Sequence, residues 1–242
     1  MTALLEASRL AIPGRLKLTD LQLAAGTVAA LIGPNGSGKT SLLRALAGVE
    51  RTQGLVRVAG QDLGSASPAQ RRKLLAFLPA GRELVWPIAA KDVIAMGMER
   101  PMPGRIAEVI ATLALEPLAD RPADRLSTGE RARVLMGRAL AQRPSVLLFD
   151  EPLSNLDPYW SLRMLAVVRQ AAEAGAAVLM SLHDLSLLGE FDRAVLMDGG
   201  ALLLDGPPRQ VLDDPCFERV FRVSPAPTGW RLKPLAGPRS SR

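Results

Sequence analysis

The sequence predicts an α/β fold, with a mostly parallel sheet core, a small antiparallel β layer and a helical insertion. Three observations carry this. Residues 27–32 (TVAALI), 146–149 (VLLF) and 176–181 (AAVLMS) are unbroken apolar runs, the pattern of parallel strands buried on both faces. Helical patterns alternate with these runs, as they do when helices cover both sides of such a sheet. The length of 242 residues suits one domain of about 100–200 residues with an insertion.

The elements follow in order. Residues 27–32 end in a glycine-rich turn. Residues 39–47 then read as a helix whose apolar stripe is Leu42, Leu43, Leu46 and Ala47, with Gly48 as its stop. Residues 55–59 (LVRVA) read as a short strand of the antiparallel layer, and residues 74–78 (LLAFL) as another buried strand. Proline and glycine punctuate residues 79–103, and residues 107–141 are helical in pattern. A helix over 159–174 separates the two later strands. Residues 195–197 and 201–204, joined by Asp198-Gly199-Gly200, read as a hairpin. The expected division is one domain over 1–224, with its core at 1–79 and 141–224 and a helical subdomain at about 80–140.

Composition removes several function classes. Apolar residues make up 48% and charged residues 22%, too apolar for a disordered chain. No run of about 18 apolar residues encodes a spanning helix, and the start, MTALLEASRL, lacks the basic-then-apolar order of a secretory signal. The single cysteine, Cys216, excludes an internal disulfide and a zinc site built on cysteine pairs. The single histidine, His183, excludes chemistry needing two. These points lead us to expect a soluble intracellular protein. The net charge is +6, and four of those charges, Arg231, Lys233, Arg239 and Arg242, lie from residue 225 onward with no acid among them. A nucleic-acid binder would carry a basic stripe on its folded body, so residues 225–242 read as a solvated, disordered basic tail and no nucleic-acid partner is expected.

The most specific motif is Gly33-Pro34-Asn35-Gly36-Ser37-Gly38-Lys39-Thr40, followed by Ser41. It matches G-x-x-x-x-G-K-[ST] and lies between a buried strand and a helix. Glycines let the backbone curl so that N–H groups face phosphate oxygens, and the helix start adds the positive end of its dipole. Lys39 then reaches the β and γ phosphates and Thr40 offers a hydroxyl to Mg²⁺. The second motif is the strand 146–149 running into Asp150-Glu151. Packing gives no reason to end a buried strand in two carboxylates, because burying charge is costly. Adjacent residues on a strand point to opposite sides, so Asp150 can hold Mg²⁺ through water beside Thr40 while Glu151 orients and deprotonates the attacking water.

Leu126-Ser127-Thr128-Gly129-Glu130 precedes this strand and has capping-box spacing at a helix start. The order of phosphate loop, LSTGE, LLFDE, Ser154-Asn155-Leu156-Asp157 and Ser181-Leu182-His183-Asp184 resembles the ATPase subunit of an ABC transporter over about residues 5–224. The resemblance implies a RecA-like P-loop NTPase core that binds ATP and Mg²⁺. It implies a homodimer in which two subunits pack head to tail around two ATP molecules. Ser127, Thr128, Gly129 and Glu130 of one subunit then meet the γ-phosphate bound by the other. Asp157 lines the dimer interface, and His183 holds the γ-phosphate and the water. Two copies of a polytopic membrane permease are the implied partners, with a solute-binding protein acting indirectly and the subunit peripheral on the cytoplasmic face. The segment from His183 to the end of the domain is similar to importers for iron–siderophore, haem or cobalamin. Another importer, an exporter and a soluble ABC-type ATPase remain open alternatives.

Three positions depart from the family pattern. Ala80 stands where a glutamine usually senses Mg²⁺ and couples to the permease. Thr128 replaces a glycine and Glu130 a glutamine. Residues 1–32 contain no Phe, Tyr or Trp to stack on adenine, so an aliphatic or arginine side chain is expected in that role.

Overall fold

The computed structural model describes residues 3–81, 83–226 and 229–232. The chain opens with β1 (Ala3–Ile12) and β2 (Leu16–Ala24), followed by β3 (Val28–Ile32) and α1 (Lys39–Leu46). Next come β4 (Gln53–Val58), β5 (Gln61–Asp62), α2 (Pro68–Leu74) and β6 (Leu75–Leu78). The insertion holds α3 (Ala90–Ala95), α4 (Pro103–Thr112) and α5 (Thr128–Leu140). The core then resumes with β7 (Val146–Phe149), α6 (Pro158–Glu173), β8 (Ala177–Ser181), β9 (Arg193–Asp198) and β10 (Ala201–Gly206). The remaining elements are α7 (Pro208–Asp213), α8 (Pro215–Phe221), β11 (Val223–Ala226) and β12 (Gly229–Leu232).

The main sheet has the order β10-β9-β3-β8-β7-β6. Its neighbours pair in parallel except the β9–β10 hairpin, which is antiparallel. Every residue of β3, β7 and β8 is buried, the result of apolar side chains facing helices or the second sheet on both sides. The predicted parallel core and its antiparallel companion are both present; the companion is a four-stranded sheet of order β2-β1-β4-β5. Sequence periodicity does not reveal β1, because its pairing with β2 is interrupted by register shifts and Arg9 sits at φ 54°. Such a bulge breaks the alternation on which strand recognition rests.

Several expectations change in detail. Residues 75–78 form the sheet edge rather than a buried strand, with only Leu78 fully buried. The helical pattern over 107–141 is two helices with turns between them, and the punctuated stretch before it contains α3. There α3 and α5 press so closely that a Cβ on Gly97 would lie 1.9 Å from the Arg138 carbonyl oxygen, so only glycine fits. The first part of the presumed loose tail folds as the β11–β12 hairpin. Trp230 there stacks on buried Phe217, with centroids 5.7 Å apart; an aromatic side chain supplies the apolar area that the surrounding residues lack. Residues 227–228 and 233–242 of that tail lie outside the described residues.

All the parallel strands end at one edge. The phosphate loop follows β3, Asp150 and Glu151 follow β7, and His183 follows β8, which is where ligands bind in open α/β sheets.

Candidate functional site

The phosphate loop is built around backbone. Gly38 caps α1 with φ 104° and no side-chain cap, leaving the first helical N–H groups for an anion. Gly33 has φ 153°, and a Cβ on it would stand 2.2 Å from the Met197 carbonyl oxygen. The β9–β10 turn braces the loop through the Gly200 N–H, which donates to the Ser37 carbonyl at 2.9 Å. Lys39 is 6% exposed, and its Nζ donates to the carbonyls of Gly33 (2.7 Å) and Pro34 (3.1 Å). Burial pushes its pKa down, while the charges of Glu151 and Asp150 push it back up. A cation so placed is available to phosphate without further desolvation.

The two acids do different work. Asp150 is 1% exposed. Its Oδ1 accepts from Ser181 Oγ at 2.8 Å, whereas Oδ2 is buried with no hydrogen-bond partner. Ser181 Oγ also accepts from the Glu151 backbone N–H at 2.7 Å. One buried hydroxyl on β8 therefore orients Asp150 and pins the backbone of Glu151, which holds φ 51°. Sequence reading quotes Ser181 without a role, because its work depends on β7 and β8 being neighbours. Glu151 Oε1 and His183 Nε2 are 2.6 Å apart. Lys39, Thr40, Asp150, Glu151 and His183 thus share one edge.

A cavity of about 700 Å³ opens above the loop, lined by residues 35–41, Glu151 and the turn after β1, within the roughly 300–1,000 Å³ of small-molecule sites. Arg15 and Leu16 stand on its wall. Arg15 pairs with Glu50, and among the described residues no aromatic side chain lines the cavity. The orphaned Asp150 Oδ2 fits a divalent cation and its water. Among the described residues no group of three or more His, Cys, Asp or Glu gathers to hold a metal. An ion here would draw its other ligands from Thr40, phosphate and water, as Mg²⁺ commonly does.

The remaining predicted residues lie elsewhere. Ser127 caps α5: its Oγ accepts from the Glu130 N–H at 3.2 Å, and Glu130 Oε2 accepts from the Ser127 N–H at 2.8 Å. Arg121 lies 3.3 Å from the other carboxylate oxygen. The Ser127 backbone N–H is the main influence holding the Glu130 carboxyl below its usual range, against the opposing effect of burial. Ser127 and Thr128 are exposed, and residues 127–130 do not line the cavity of their own chain. Asp157 caps α6, accepting from the Trp160 N–H at 2.8 Å. Ala80 is exposed two residues beyond Leu78, whose carbonyl accepts from the Asp150 N–H at 2.8 Å.

A strand–loop–helix phosphate cradle, a buried acid at the end of a neighbouring strand and a carboxylate–histidine pair beside it define a nucleoside-triphosphate hydrolase of the P-loop class. The family model described as ABC transporter matches residues 16–154. The chain is 38% identical over 213 residues to the hemin import ATP-binding protein HmuV of Streptomyces coelicolor, covering 84% of this chain and 76% of that protein. It is 35% identical to the HmuV of Mesorhizobium japonicum over 243 residues, 92% of each. Among solved structures, a nucleotide-free ATP-binding cassette from an ABC transporter superposes with a TM-score of 0.79 at 21% identity, over 91% of this chain and 99% of that one. A bacterial Atm1-family ABC exporter with ATP bound gives 0.79 at 23%, over 90% of this chain and 41% of that one. The chain belongs to the ABC transporter family and is one of its ATPase subunits.

Proposed function

We propose that this subunit dimerises head to tail on ATP and Mg²⁺ and drives a separate membrane permease that imports haem or a related iron chelate. The observation that carries the dimer is the separation within one chain. Lys39, Asp150, Glu151 and His183 face the nucleotide edge, while the capped Ser127–Glu130 start of α5, exposed at Ser127 and Thr128, stays off that cavity. A helix N-terminus attracts an anion, and the anion available to an exposed one is the γ-phosphate held by a second copy.

The geometry supports the following roles. Lys39 and the backbone N–H groups at the start of α1 hold the β and γ phosphates. Thr40 and Asp150 would hold Mg²⁺, which would supply positive charge against the phosphoryl group being transferred. Glu151 takes the proton of the attacking water, and His183 fixes Glu151 and the γ-phosphate. Adenine packs on Arg15 and Leu16. Val85 and Trp86, each 68% exposed, and Met96 and Met102 give the insertion an apolar surface, and such patches mark protein contacts. The permease meets the subunit there, close to Ala80. Without the glutamine amide at position 80, hydrolysis is less tightly gated by the permease. The cargo class is supported by the hemin import for which the relatives from Streptomyces and Mesorhizobium are named.

Affinity purification of the tagged chain from detergent-solubilised membranes tests this reading. A polytopic permease is expected to co-purify at equal copy number, and ATPase activity of the reconstituted complex should rise with a haem-loaded solute-binding protein. Recovery without any membrane protein would overturn the transport reading. Stimulation by another loaded binding protein but not the haem-loaded one would overturn the cargo.

A further inference from the structure

The residues assigned to the partner's nucleotide and the one assigned to the dimer interface sit on two separate elements. Ser127 and Gly129 are at the start of α5, whereas Asp157 caps α6. The two starts touch, since a Cβ on Gly129 would stand 3.4 Å from Leu156 Cδ2. The Asn155 carbonyl oxygen would stand 4.0 Å from the same Cβ, so this segment is one point of contact. A second lies about one turn along α5. Arg133 is four residues beyond Gly129, on the same helix face, and is only 8% exposed. Its guanidinium carbon lies 3.7 Å from the centroid of the Trp160 ring. Its Nη1 donates to the carbonyls of Leu113 (3.1 Å) and Ala114 (3.0 Å) at the end of α4. Trp160 donates its backbone N–H to Asp157 Oδ1. Direct contacts therefore run from the end of α4, through α5, to the residue that caps α6.

A buried cation is a costly way to fill space. Burial disfavours the charge on Arg133; Glu130 and Asp157 favour it and Arg163 opposes it. An apolar side chain of similar volume avoids that cost. What it cannot supply is direction, which comes from a planar stack on an indole and donors fixed on two carbonyls.

We propose that Arg133 and Trp160 are positioning residues that hold the Ser127–Gly129 start of α5 and Asp157 in one fixed relation, so that each subunit offers its partner's ATP a single preset surface. This inference rests on the head-to-tail reading above.

The test uses the full chain carrying Glu151→Gln. Two quantities are measured for each further variant: ATP affinity at concentrations where the subunit is monomeric, and the dissociation constant of the ATP-bound dimer by sedimentation. Trp160→Leu and Arg133→Met are expected to weaken the dimer about tenfold, the scale of a desolvated cation–π contact, with monomer affinity within about twofold. Trp160→Phe keeps a ring face and is expected to stay within about threefold of the parent. Equal weakening of both quantities, or an unchanged dimer constant, would overturn the proposal. A parent that binds ATP yet stays monomeric would overturn the head-to-tail reading and this inference with it. Should Trp160→Leu not fold, Arg133→Lys decides, because it keeps the charge and loses the planar fork. A dimer-only loss supports positioning, and no such split overturns it.

Discussion

Replacing Glu151 with glutamine is expected to slow ATP hydrolysis about 10²–10⁴-fold, the usual cost of losing a general base. The substitution removes a proton acceptor and little else. The amide has nearly the same volume and can still hydrogen-bond His183, which lies 2.6 Å from Oε1. The backbone N–H of residue 151 still donates to Ser181 Oγ, and Asp150 keeps its own bond to that hydroxyl. The phosphate loop is untouched, so ATP should bind as before. With hydrolysis blocked, dimers holding two nucleotides should accumulate. Phosphate release measures the first effect and sedimentation in ATP and Mg²⁺ the second. Hydrolysis lost with only monomers present would contradict the role given to Glu151.

Lys39→Ala should reduce turnover about 10²–10³-fold or more, as when a preorganised donor to developing charge is removed. The loss should not come from unfolding. Lys39 donates to the Gly33 and Pro34 carbonyls, and each such bond contributes about 0.5–1.5 kcal/mol. Burial of the ammonium opposes that gain, so removing the side chain forfeits the bonds and relieves a desolvation cost together. Thermal unfolding should therefore shift by only a few degrees while ATP binding and hydrolysis fall sharply. Turnover like that of the unaltered chain would refute the assignment of the loop.

The phosphate loop and the two acids are legible from sequence because their chemistry is local. Eight consecutive residues define a cradle, and two adjacent carboxylates end an apolar strand. The parallel core is legible because β3, β7 and β8 are apolar on both faces. Less legible is whatever depends on elements meeting in space. Ser181 bridges Asp150 and Glu151 only because β8 lies beside β7. Arg133 reads as one more charge on a helix until Trp160 is placed over it. β1 is hidden by its bulge, and the β11–β12 hairpin by a proline-rich, basic sequence whose decisive feature is the single aromatic Trp230. Ser127 lies between these cases. Its capping box is readable from spacing alone and is formed, while a role toward a second chain is not a property of one chain's sequence pattern.

That proposed role is the centre of the account, because it would make each active site the joint work of two subunits. The most direct measurement mixes Ser127→Arg chains with Lys39→Ala chains and follows ATP hydrolysis. Arginine at position 127 blocks the surface offered to a partner but leaves the chain's own phosphate loop whole; alanine at position 39 does the reverse. A mixed dimer then contains one site with both halves intact and one with neither. The account predicts that each variant alone is nearly inactive and that the mixture hydrolyses ATP well above either. A mixture no more active than its parents, or Ser127→Arg chains as active alone as the unaltered protein, would contradict it.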